Sequence, residues 1–124
     1  MGLDIYIVMA KNAHQIEQDN FWDKCHTGWK MTDDGDVDVT IPCEVYYARK
    51  FWDLYSPMAR RLDLDNGDWS APLTKEDIEE MIYIATHNKD YFNSFGTVKD
   101  LCEILYNYDK ATKAGMVFLF SGNY

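Results

Sequence analysis

The chain has 124 residues, 21 of them acidic and 12 basic, and a formal net charge of −9. That balance repels nucleic acid and anionic membrane and attracts basic protein surfaces, so neither direct nucleic-acid binding nor membrane association is expected. Hydrophobic residues make up 47% of the chain and are spread along its length, which excludes a disordered acidic protein and leads us to expect one globular domain over 1–124.

Leu3 to Met9 reads as a strand, and apolar residues of both parities from Ile5 onward place it inside a sheet. Ala13 to Lys30 has no settled period. Val37 to Ile41 alternates apolar with polar, which predicts a half-buried strand after the Asp36 turn. Beyond Pro42, Val45, Ala48, Trp52 and Tyr55 recur at helical spacing, predicting a helix over Cys43 to Tyr55 that ends at Ser56-Pro57. Thr74 followed by Asp77 predicts a capped helix with Ile78, Met81, Ile82 and Ala85 inward and His87 near its end. A second helix is expected to open at Gly96-Thr97, burying Val98, Leu101, Cys102, Leu105 and Tyr108 and ending at Gly115. Met116 to Phe120 reads as the last strand. The expected architecture is α+β, with a small, mainly antiparallel sheet of about three strands covered on one face by two to four helices.

Cys25, Cys43 and Cys102 have no repeated spacing, so a disulfide framework is not expected and reduced thiols point to a cytoplasmic setting. The N-terminal segment lacks a basic flank and its apolar run is too short for a signal peptide or span.

The opening Met1-Gly2-Leu3-Asp4-Ile5-Tyr6-Ile7, the Glu44-Val45 and Tyr47-Ala48-Arg49-Lys50 segments, the Glu-rich helix that follows Thr74, and the ending Phe118-Leu119-Phe120-Ser121-Gly122-Asn123-Tyr124 occur in a distinctive order. In that order the chain resembles a family of small bacteriophage and prophage proteins, which begin Met-Gly-Leu-Asp-Met-Tyr-Leu, carry Tyr-Trp-Arg-Lys mid-chain and end in aromatics followed by Ser-Ser-Trp. Here Ala48 replaces the family's Trp, Trp52 and Tyr55 stand where Asn and His are usual, and Tyr124 replaces the last Trp. The resemblance implies a phage or prophage origin and no particular chemistry.

No motif assigns a catalytic residue, a metal ligand or a cofactor. His14, His26, His87 and the cysteines lack the paired spacing of a zinc site. Counted from Asp63 or from Asp34, the twelfth residue of an EF-hand loop would be Thr74 or Val45 where Glu is required. A Cys25 or Cys43 nucleophile would need His14 or His26 beside it in space.

Seven acids and one lysine fall between Asp63 and Asn88. Glu76 and Asp77 are explained by helix capping and Asp36 and Asp38 by turn chemistry, which leaves Asp63, Asp65, Asp68, Glu79 and Glu80, gathered around Trp69, as the expected partner-binding residues. The function they suggest is inhibition of a host protein with a basic surface, such as a defence nuclease or nucleic-acid-binding factor, by carboxylates standing in for phosphates. The alternative is a small-ligand or nucleotide-binding protein with Tyr47, Arg49, Lys50 and Trp52 lining its pocket. A small hydrolase is the third reading. The basic pairs Arg49-Lys50 and Arg60-Arg61 are expected to bond neighbouring acids.

Overall fold

The computed structural model describes residues 2–12, 21–64, 70–88 and 91–123. Asp4–Ala10 forms β1, the middle strand of the sheet, because Ile5, Ile7 and Met9 point to one face while Val8 and Ala10 are buried on the other. Beside it run β3 (Cys43–Arg49) and β5 (Val117–Asn123), both antiparallel to it. Two short edges complete the order β2-β3-β1-β5-β4: β2 (His26–Thr27), parallel to β3, and β4 (Ser70–Pro72), antiparallel to β5. The fold is α+β, and among the described residues its sheet is mainly antiparallel as expected, with the short β2 the one parallel strand, but it has five strands rather than about three.

Three helices cover one face: α2 (Trp52–Leu62), α3 (Lys75–Thr86) and α4 (Tyr91–Lys113). Leu54, Met58, Ile78, Met81, Leu101 and Ile104 pack there against Leu3, Ile5, Ile7, Phe118 and Phe120. Each such side chain contributes about 1.5–3 kcal/mol by leaving water. The four-residue α1 (Phe21–Lys24) sets Phe21 against Val8, Ala10 and Leu119 on the opposite face.

The largest departure from expectation is at Cys43–Arg49, a strand where helical spacing was read. Its register with β1 slips between Ile7 and Val8, leaving Val45 as an extra residue between Glu44 and Tyr46. A bulge of this kind flips the parity of the strand beyond it, so Val45 and Tyr46, adjacent in sequence, are both in the core, and Val45 and Ala48 imitate a helical period. The predicted strand at Val37–Ile41 is instead a turn. Asp38 Oδ1 accepts from the Thr40 backbone N–H at 2.9 Å and from its hydroxyl, an Asx turn that competes with a ladder, and only Val37 bridges back to Met31.

Ser56-Pro57 does not end a helix: Pro57 lies inside α2, whose buried Leu54, Tyr55, Met58 and Ala59 outweigh the lost backbone bond. Its stop is Asp63, in the left-handed region at φ 56°, donating its N–H to the last-turn carbonyls. The α3 start matches expectation, with a complete capping box between Thr74 and Asp77. The α4 helix begins at Tyr91, so Gly96 and Thr97 lie within it, and the Thr97 hydroxyl meets the Tyr46 hydroxyl at 2.8 Å. Cys102, assigned to the buried stripe, is exposed, and Ile104 holds the inward position. At the C-terminal end, Gly115 has φ 85°, and N–H groups of Gly115 and Met116 bond Thr112 and Ala111, a Schellman ending.

Candidate functional site

Two surfaces gather polar and aromatic side chains: the outer side of the α3–α4 pair and the open end of the sheet. On α3, Glu76, Glu79 and Tyr83 lie three and four residues apart, all exposed, opposite the buried Ile78, Met81 and Ala85. On α4, exposed Glu103, Tyr106 and Asp109 lie at intervals of three. Lys75 Nζ bonds Asp109 Oδ2 at 3.0 Å, tying the two helices together. Tyr106 is 87% exposed and Tyr83 59%, the latter tilted against His87 with ring centroids 4.1 Å apart. His87 in turn places Nδ1 2.8 Å from the Tyr83 carbonyl oxygen, satisfying the helix end as its position suggested.

Of the expected partner-binding residues, Glu79 is on this surface and Glu80 is half-buried at its margin near Arg61. Asp63 is the C-cap of α2, a role that accounts for it without a partner. Asp65, Asp68 and Trp69 lie outside the described residues, as does His14. Sequence reasoning passed over Tyr83 and Tyr106. The signal was available: each falls on the helical side opposite its own helix's apolar stripe.

Several acids are consumed internally. Asp36 Oδ2 accepts from Lys110 Nζ at 2.7 Å, pinning the 31–37 turn to α4. Asp77 accepts from Arg61 Nε at 2.6 Å and from the Thr74 N–H at 2.9 Å. Burial pushes the Asp77 carboxyl up, but the Thr74 N–H, the Arg61 guanidinium and the Thr74 hydroxyl outweigh it and hold it below the ordinary aspartate range. Arg61 behaves as expected of the basic pairs. Arg49, Lys50 and Arg60 do not, since none of them is in an ion pair among the described residues.

At the sheet's open end, Asp4 faces Arg49 on one side and Asn123 on the other, and Tyr6 faces Tyr47 and Ser121. The Tyr47 hydroxyl donates to Asp4 Oδ1 at 2.7 Å, and the Tyr6 and Tyr47 rings sit 5.2 Å apart. The Asp4 hydrogen bond, with some desolvation, pushes the Tyr47 phenol up, while burial and then Asp4 and Glu44 raise Tyr6. Of the expected pocket, Tyr47 and Arg49 share this end of the sheet and Lys50 occupies the turn after β3, with φ 61°. Trp52, at the start of α2, stands edge-on to Tyr55, which stacks on Phe120 on the helical side of the sheet.

Cys25 and Cys43 lack the activation that a nucleophile needs. Burial, chiefly, pushes the Cys25 thiol up to about 11 and the Cys43 thiol up to about 12, the opposite of what thiolate chemistry requires. His26 Nδ1 lies 3.0 Å from the Gly28 carbonyl oxygen. Among the described residues no group of three or more His, Cys, Asp or Glu side chains is placed to hold a metal ion, and no helix is long and apolar enough to cross a membrane.

Compared with protein-family models, curated proteins and solved structures, the chain matches none.

Proposed function

We propose that the chain is a cytoplasmic, phage-type binding protein that sets the outer face of α3 and α4 on a basic surface of a host protein. The observation that carries this is the exposure of Tyr83 and Tyr106 on a rigid helix pair among outward Glu76, Glu79 and Glu103. Tyrosines are common interface anchors, because they bury a large, stiff ring at little entropic cost. Carboxylates around them add the field that speeds encounter with a cationic partner and rejects anionic ones. A host nuclease or other nucleic-acid-handling factor has such a surface, and carboxylates spaced along the helices would occupy phosphate positions on it.

The test is capture from host lysate on the immobilised full-length chain at low and high salt, beside E76Q/E79Q/E103Q and Y83A/Y106A. A protein held at low salt, released at high salt and lost from both variants supports the reading, and its nucleic-acid binding should then be blocked by the wild-type chain. Equal capture by wild type and variants removes it.

A further inference from the structure

A different kind of recognition is suggested at the corner where β3 leaves the sheet. Lys50 donates its N–H to the Leu3 carbonyl at 2.7 Å, and its own carbonyl accepts from the Trp52 N–H at 3.0 Å. Phe51, at φ −87° and ψ 67°, is the centre of an inverse γ-turn that redirects the chain into α2. This locks Lys50 in the left-handed region, at φ 61°, where a residue with a Cβ is strained. The result is that Arg49 and Lys50, consecutive in sequence, turn towards the same spot. A Cβ added at Gly2 would sit 3.7 Å from Lys50 Cε and 3.9 Å from Arg49 Nε, so both stems flank the glycine.

Bases outside ion pairs are not rare on this surface; convergence separates these two from the rest. Arg61, Lys75 and Lys110 are each held by an acid. Arg49 has an acid directly across the ladder, Asp4, yet the two form no ion pair, and Asp4 Oδ1 accepts from the Tyr47 hydroxyl. That bond, with the Tyr6 ring tilted beside it at 5.2 Å, holds the Tyr47 ring, which stays 47% exposed. A rigid aromatic wall therefore stands next to two cations that share a corner.

The chain's charge narrows the ligand. A net −9 repels long polyanions, so nucleic acid and anionic membrane would be disfavoured at this corner even though its local sign is positive. A compact anion of one or two charges meets little of that repulsion and gains both cations, with the guanidinium able to bond two oxygens at once. We infer that Gly2, Arg49, Lys50 and Tyr47 form a site for a nucleoside monophosphate, the phosphate at the Arg49–Lys50 corner and the base against Tyr47. This is independent of the α3–α4 face and stands or falls without it.

Titration calorimetry of the full-length chain with the four ribonucleoside monophosphates, the matching nucleosides and inorganic phosphate tests the assignment. At least one monophosphate should bind, with its nucleoside and inorganic phosphate each about tenfold weaker or more. R49Q/K50Q should weaken it by at least about tenfold through loss of the charge-assisted bonds. Tyr47→Leu, which keeps both cations but releases Asp4 opposite Arg49, should weaken the monophosphate by more than it weakens inorganic phosphate. Absence of binding by all four monophosphates overturns the proposal, as does undiminished binding by R49Q/K50Q with a wild-type thermal midpoint. Inorganic phosphate binding as tightly as every monophosphate overturns the assignment of a base.

Discussion

The two faces of β1 belong to the same strand but obey different rules. Towards the helices, Ile5, Ile7 and Met9, with Leu3 just before them, are fully buried in an apolar and aromatic cluster. Away from them, Asp4 and Tyr6 at the open end give way to Val8 and Ala10 under Phe21. One face is specified by volume, and the other divides along its length into a small apolar half and a polar half held by hydrogen bonds and ring contacts. Substitutions should therefore cost stability on the first face and recognition on the second.

The sharpest contrast is expected from Phe120→Ala. Phe120 is fully buried and stacked on Tyr55, so truncation should cost about 3–5 kcal/mol in urea unfolding. Gly122→Ala comes next. A Cβ there would collide with the Tyr55 ring at Cε2, and displacing that ring should cost roughly 1–3 kcal/mol although the change adds a single methyl. Thr74→Ala removes the cap of α3 and should cost about 1 kcal/mol, again read from urea unfolding.

The cap also has a pH signature. Because the folded Asp77 carboxyl lies below the ordinary aspartate range, its contribution is fully present above that range and is lost as pH falls through the lower folded value. Unfolding midpoints measured from neutral pH down to acid should fall less steeply in Asp77→Asn than in wild type. At the small end, Tyr47→Phe should change stability by no more than about 0.5 kcal/mol, since the lost bond is at an exposed surface. A loss as large as that of Gly122→Ala would mean that the open end is built for stability, and the contrast between the faces would fail.

The two acidic runs are equally prominent in sequence and differ in the fold for a related reason. In the 31–41 turn, Asp36 and Asp38 serve Lys110 and Thr40, partners that are respectively remote and local. On α3, capping chemistry claims Asp77, while Glu76 and Glu79 remain turned to solvent. Proximity in sequence was a poor guide to shared purpose. Asp63, grouped with the partner-binding acids, is a helix stop, and the exposed tyrosines that mark the outer face sit on two different helices.

Local physical chemistry, legible in the chain itself, determined the central character of β1, the Thr74 capping box, the Gly115 ending and the last strand. Each depends on residues within a few positions of one another or on burial of both parities. Tertiary structure decided the rest. The Cys43–Arg49 strand was hidden because a bulge, set by pairing with β1, shifted its parity, and Pro57 stays helical because the core holds both its flanks. The meeting of Gly2, Tyr47, Arg49 and Asp4 likewise depends on strand order, since only the antiparallel register brings the start of the chain beside its middle and turns two unremarkable segments into one polar corner.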